Sequence, residues 1–415
     1  MTANTLRRRL TASTAPLALS AGSAFAEVEL DFWDQVWGGP EYIATASALV
    51  EAFNAAHPDI HVTYRSVPWA SWYETYVTAI ASGSAPDIST GAGFQAVQFY
   101  DFGEILPIGD VASAIGAETF AVGTLEAVTY DEQIVALPWT LDTRAIFYRT
   151  DLLEAAGITP PTTWEEFRAA TKALTGNGVY GLVSSGDTTG SHWVSSITIN
   201  NGGGLFDAEC KAALTSEASP EALHFLADLV ADGSVNPASA GYSNDDAIGS
   251  FVRGAAAFIL NSPNLADLAG EAGAHIAVLP PLTSPHGTKG TVYWVNNIMV
   301  YRQTEHPEET MTFLKWWSDN QLPLWTEGNG AGLPARMAYQ QDAYFTEREQ
   351  VSDVIAEYLP VAKPMSAVAG GTFPAMNVVD GDGFLRTLIQ TIWQGGDVDA
   401  AIADAQAHLE DVLAD

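Results

Sequence analysis

Strand-like and helix-like spacings of apolar residues alternate along this chain. VELDFWDQV (28–36) carries a strand pattern, and EYIATASALVEAFNAA (41–56) repeats its apolar residues at helical spacing. HPDIHVTYRSVP (57–68) ends that helix and begins a second strand, because the residue before Pro58 is pushed out of the α region. WASWYETYVTAIASG (69–83) predicts a further helix with Gly83 as its C-cap, and SAPDIST (84–90) a short buried strand. Repeated strand–helix units predict an α/β fold with parallel sheets, whose strand C-termini gather on the side where such sheets bind ligands.

The rhythm breaks at LPWTLDTRAIFYRTDLL (137–153). An apolar run is interrupted by Trp139 and Asp142, then resumes as AIFYR before a helix from Asp151. PTTWEEFRAATKALT (161–175) predicts a helix with Thr163 as N-cap and Glu166 at N3. NDDAIGSFVRGAAAFIL (244–260) reads as helix then strand, HIAVLPPL (275–282) as extended, and DVDAAIADAQAHLEDVL as a surface-covering helix. At 415 residues the chain exceeds the size at which a single core stops growing, so the restart after Leu137 marks a second lobe.

Charge narrows the partners. Seventeen Lys and Arg against 50 Asp and Glu give a net charge of −33, which repels nucleic acid and anionic membranes. The acids are scattered, as on a heavily hydrated surface. Arg7, Arg8 and Arg9 precede LTASTAPLALSAGSAFA, which ends in the small-x-small sequence Ala24-Phe25-Ala26, so residues 1–26 read as an export leader. Cys210 is the sole cysteine, which excludes an intramolecular disulfide.

Aromatic residues at loop positions carry the chemistry. Trp33 and Trp37 flank the end of the first strand, Trp69 and Trp72 open a helix, Trp139 precedes the restart, Trp193 follows GDTTGSH, and Trp294 lies in TVYWVNN. An indole face suits the C–H-rich face of a sugar or a cation, while nearby Asp34, Asp142, Asp187, Asn261 and Asn296 suit hydroxyls or balance charge. One such tryptophan is equally an ordinary core aromatic; the set predicts a ligand cleft. Trp164, Trp316, Trp317, Trp325 and Trp393 sit in helical patterns and read as packing.

Other motifs are weak. GNGVYG (176–181) precedes a strand where a dinucleotide loop follows one, NNGGGLFD and GNGAGLPAR lack a phosphate loop's Lys-Ser/Thr, and VDGDG (379–383) reads as a turn. The sequence has no H-E-x-x-H or G-x-S-x-G, and its eight histidines are dispersed, so neither catalysis, cofactor nor metal is expected. Three readings stay open on these residues: a sugar receptor, a receptor for a cationic solute such as a betaine or polyamine, and an exported carbohydrate-active enzyme.

In order, LDFWDQV, LVEAFNAAHPDIHVTY, YVTAIASGSAPDI, ALPWTLDTRAIFYRTDLLEAAGI, PTTWEEFRAATKAL, FVRGAAAFIL, PEETMTFLKWWSD and GLPAR resemble the family 1 extracellular solute-binding proteins of ABC importers, the group that includes maltodextrin-binding proteins. The resemblance implies a two-lobed type II periplasmic-binding fold with three crossings, near Leu141–Arg144, Gly273–Ala277 and Gly328–Gly332. Lobe one would then comprise 27–141 and 276–328, and lobe two 142–275 and 329–415. It also implies a periplasmic monomer that clamps a sugar or oligosaccharide and delivers it to the transmembrane subunits of a permease. Carried over by position, ligand contacts would fall on Trp33, Asp34, Trp37, Trp69, Trp72, Gly93, Phe94, Trp139, Asp142, Trp193, Asn261, Trp294, Asn296 and Arg336. The amides at Asn261, Asn296 and Asn297 favour a sugar over a cation.

Overall fold

The computed structural model describes residue 1, residues 27–69, 72–369 and 371–414, so the leader expected over 1–26 lies outside the described residues except for Met1. In chain order the strands are β1 (Val28–Gln35), β2 (Ile60–Val67), β3 (Ile88–Gly91), β4 (Thr129–Tyr130), β5 (Gln133–Ile134), β6 (Leu137–Thr143), β7 (Ala145–Arg149), β8 (Tyr180–Leu182), β9 (Ala256–Asn261), β10 (Ile276–Val278), β11 (Thr291–Val300), β12 (Leu333–Pro334) and β13 (Ala362–Lys363). The large sheet runs β12-β6-β11-β3-β1-β2, with β13 added to the start of β11, and the small sheet runs β10-β7-β9-β8.

Both sheets are mixed, which corrects the expectation of parallel ones. Parallel pairing holds between β1 and β2, β1 and β3, and β8 and β9. β11 instead runs antiparallel to both β3 and β6. The cause is the route of the chain: β11 returns from the second lobe and enters the large sheet beside the C-terminal end of β3, with Asn297 opposite Gly91.

Local chemistry makes the helices as the spacing predicts. Pro40 starts the first helix (Pro40–Ala56), which buries Tyr42, Ala46, Val50 and Phe53 on one stripe. Thr163 caps the helix Trp164–Leu174 by accepting from the Glu166 backbone N–H, while the Glu166 carboxylate accepts from Thr162, one residue earlier than a capping box requires. The last helix, Val398–Ala414, buries only Val398, Ile402, Ala405 and Leu409.

Three passages join the lobes, and two lie later than expected. Arg144 is the single residue between β6 of the large sheet and β7 of the small one. β10 pairs with β7, so the second passage follows Leu279 and ends at Thr291; it does not lie at Gly273–Ala277. Likewise β12 still pairs with β6 and Phe345 packs against Trp325, whereas Gln350 already donates to the Gly273 and Ile276 carbonyls beside β10, and Met365 and Met376 pack in the second core. The third passage therefore runs through about 346–363, and Gly328–Gly332 belongs to lobe one. The glycines there serve a tight entry into β12: Gly332 has φ +72°, and a Cβ on it would lie 2.5 Å from Thr140 Oγ1.

Candidate functional site

A cleft of about 430 Å³ opens between the lobes. Its first wall is aromatic. Trp37, Trp69 and Trp72 follow β1 and β2, with Trp37 and Trp69 edge-to-face at 4.9 Å and Trp69 and Trp72 at 6.4 Å between centroids. Trp37 Nε1 donates to Thr90 Oγ1 at 3.1 Å and Trp69 Nε1 to the Val36 carbonyl at 2.6 Å, which fixes both rings. Trp69 is 40% exposed and stands at the mouth.

The opposite wall is a connected polar cluster. Asp142 on β6 and Trp294 on β11 are register partners, so both side chains leave the same face of the sheet. The Arg144 guanidinium forks onto both Asp142 oxygens and donates to the Thr143 carbonyl at 2.9 Å. Its Nε donates to His192 Nδ1 at 2.8 Å, so the neutral ring carries its proton on Nε2. Burial and the Arg144 charge hold the His192 pKa well below its ordinary value. Arg144 also stands 5.1 Å above the Trp294 ring, and Trp294 Nε1 donates to Asp380 Oδ1 at 3.1 Å. Burial pushes the Asp380 carboxyl up to about 6, against the pull of Trp294 and Arg144.

Backbone placement completes the cleft. The Gly93 N–H donates to Asn296 Oδ1 at 3.0 Å, and a Cβ at Gly93 would lie 2.9 Å from Trp294 Cδ1, so only glycine allows this approach. Asp187 caps the helix Thr188–Asn200 through the N–H groups of Thr189 (2.9 Å) and Gly190 (3.3 Å), and accepts from Asn244 N at 2.7 Å. Those bonds bring Thr188, Thr189 and Asn244 to the rim.

Of the residues expected at the ligand, Trp37, Trp69, Trp72, Gly93, Asp142, Trp294 and Asn296 line the cleft. The others do not. Trp33 lies within β1, where it packs under Arg65 at 4.1 Å and beside Tyr76, short of the strand end at which the cleft opens. Asp34 is buried, accepting from Thr90 Oγ1 (2.8 Å), Tyr42 Oη (3.0 Å) and Tyr64 Oη (3.2 Å), and supports Trp37 only through Thr90. Phe94 and Trp193 belong to the second core. Trp139 is fully buried between Trp37 and Trp325, at 5.8 and 4.9 Å. Asn261 stands one shell back, donating to Asn244 Oδ1 at 2.9 Å. Arg336 pairs with Asp319 at 3.1 Å and lies over Phe120, away from the cleft.

Arg144, His192, Thr188, Thr189, Asn244 and Asp380 went unread in the sequence. Arg144 lay in plain view two residues after Asp142, and strand alternation is the signal for a shared face. Asp380 belongs to the helix Ala375–Gly381, where a turn was expected.

Asp34 and Asp380 also set a pH dependence. Burial raises Asp34 to about 7 and Asp380 to about 6 from an ordinary 3.8, so the folded chain holds protons that the unfolded chain releases. Their stabilising contribution is complete below about pH 4 and is lost as pH rises through 6 to 7. Acids held low by partners, such as Asp151 and Asp232, act with the opposite sign and below that window. Urea midpoints should fall between pH 4 and pH 7, and Asp34→Asn should flatten most of that slope.

Two α/β lobes joined by three passages around an aromatic and polar cleft define a substrate-binding receptor. The chain matches the bacterial extracellular solute-binding protein family over residues 39–321 and belongs to it. Its family and fold are those of substrate-binding proteins. It is 24% identical over 325 residues to the arabinooligosaccharide-binding protein of Bacillus subtilis, covering 72% of each chain. The sugar transporter of Arthrobacter chlorophenolicus A6, solved with bound laminaribiose, superposes with a TM-score of 0.87 at 29% identity, over 92% of this chain and 99% of that one. The ABC substrate-binding protein of Listeria monocytogenes in complex with cycloalternan shares the fold, with a TM-score of 0.76 at 20% identity over 94% and 99% of the two chains.

Proposed function

We propose that this protein captures a short neutral oligosaccharide between its lobes, outside the cytoplasm, and delivers it unchanged to the transmembrane subunits of an ABC permease. The observation that carries this reading is the tryptophan wall facing the Asp142–Arg144–His192 cluster across one cleft. Indoles cover the C–H faces of pyranose rings, and the opposite wall offers both acceptors (Asp142, Asp380) and donors (Arg144, the threonines), which sugar hydroxyls need in pairs. Laminaribiose in the Arthrobacter relative supports a disaccharide or longer glucan.

A cationic solute is favoured less. The Asp142 charge is already matched by Arg144, and that guanidinium covers Trp294, so an incoming cation would meet a fixed one. Hydrolysis is also disfavoured, since Asp142 is bound on both oxygens by Arg144 and so is not free to act as nucleophile or base.

Thermal shifts with laminaribiose, maltotriose, arabino-oligosaccharides, glycine betaine and spermidine test the assignment, because a bound ligand stabilises by RT ln(1 + [L]/Kd). Stabilisation by the cations alone would overturn the sugar reading, and release of monosaccharide from a bound sugar would overturn the receptor reading. Trp69→Ala should weaken sugar binding by about 1–2 kcal/mol through lost stacking area, with little change in stability since its ring is at the surface. Calorimetry beside a denaturant melt separates the two effects.

A further inference from the structure

One tyrosine hydroxyl links all three passages between the lobes. At the end of the small sheet, Leu279 N donates to Ile146 O at 2.8 Å, half of an antiparallel rung. The other half runs through a side chain: Ile146 N donates to Tyr358 Oη at 3.0 Å, and Tyr358 Oη donates to the Leu279 carbonyl at 2.7 Å. Ile146 lies two residues beyond Arg144, Leu279 begins the second passage, and Tyr358 ends the π-helical turn Val354–Tyr358 of the third. Tyr358 is 3% exposed, and burial raises its pKa, so the phenol keeps the proton it donates.

Free volume borders the Tyr358 ring on one side and the neighbouring residues of its turn on another. A cavity of about 20 Å³ borders Tyr358, Ile146 and Thr291. A groove of about 310 Å³ is lined by Ile355, Leu359 and Pro360 together with Leu141 and Tyr293. Leu141 and Tyr293 are the strand neighbours of Asp142 and Trp294, so this groove lies on the face of the hinge strands opposite the cleft. A π turn, an anchored rung and free volume on either side are the parts of a pivot.

We propose that Tyr358 is a positioning residue for ligand capture: its hydroxyl pins the third passage to the edge of the small sheet, and the second lobe swings about that rung to close on the sugar. The rung persists in the open and closed forms. Tyr358 does not line the cleft, so its effect on affinity acts through lobe placement. This inference rests on the sugar-receptor reading for its ligand, though not for the rung itself.

The test uses the full chain, the variant Tyr358→Phe, and laminaribiose as probe. Without the hydroxyl, Ile146 N and Leu279 O lose their bridge and the lobes lose their set orientation. Calorimetry should show Kd raised at least about tenfold, and small-angle scattering a smaller change in radius of gyration on adding laminaribiose. Trp139→Ala, a purely structural control, should lower stability without that split. A folded Tyr358→Phe protein whose Kd stays within twofold and whose scattering change matches the parent would overturn the proposal. Hydrogen exchange on the parent protein gives a second readout that needs no variant. The Ile146 amide should be equally protected with and without laminaribiose, and protection that appears only with sugar would overturn the pivot. If laminaribiose fails to bind the parent protein, only that choice of sugar falls. Strong Ile146 protection in the ligand-free chain would then still support the pivot, and exchange as fast as that of a surface loop would overturn it.

Discussion

Arg144→Ala is expected to reduce ligand affinity by more than 100-fold, about 3 kcal/mol or above, while both lobes stay folded. Its guanidinium holds both Asp142 oxygens, the Thr143 carbonyl and His192 Nδ1 at once, and lies over Trp294. A ligand hydroxyl hydrogen-bonded to a charged group gains about 1.5–3 kcal/mol, and the variant removes Arg144 and unfixes Asp142, so two such bonds are lost together. Here Asp142 would face the ligand without its counter-charge, and His192 would be free to change tautomer. Arg144→Lys should not restore binding, because an ammonium cannot fork onto a carboxylate and reach the imidazole together. Titration calorimetry beside circular dichroism measures this, and a loss below tenfold in a folded protein would mean that the cluster does not hold the ligand.

Trp139→Ala is expected to act on the fold. The ring is fully buried, edge-to-face with Trp37 and tilted against Trp325. Truncating a buried tryptophan typically costs about 3–5 kcal/mol through lost burial and the cavity left behind. Denaturant melts should show that loss, while sugar affinity changes less than about threefold, because Trp139 reaches the cleft only through Trp37. A large affinity change with stability unchanged would return Trp139 to the binding set.

Trp139 also shows where reading from sequence stops. In sequence it points to the ligand because it sits beside Asp142 in the stretch where β6 ends one residue before β7 begins. The ladder between β6 and β11 shifts register at Trp139, however, so alternation cannot be counted through it, and the ring is sealed beneath Trp37 and against Trp325. Asp142 meets the cleft and Trp139 the core behind it. Trp33 and Trp37 share parity, yet β1 ends at Gln35, so Trp33 packs under Arg65 within the strand while Trp37, in the loop beyond it, stands on the cleft wall.

By itself the sequence determined the local elements, the two cores, and the character of the site as tryptophan facing carboxylate and amide. Those properties depend on spacing within a few residues and on composition, so the chain displays them before it folds. Tertiary structure decided which side chains meet. Asp380 comes to Trp294 from 86 residues away, Gly93 to Asn296 from 203, and Tyr358 to Ile146 from 212. It also decided where the second and third passages fall, since a strand belongs to whichever sheet completes its hydrogen bonds, and β10 and β12 find their partners in β7 and β6. Contacts closed over such separations leave no periodic trace in the chain, because each is set by the packing of whole lobes and not by neighbours in sequence.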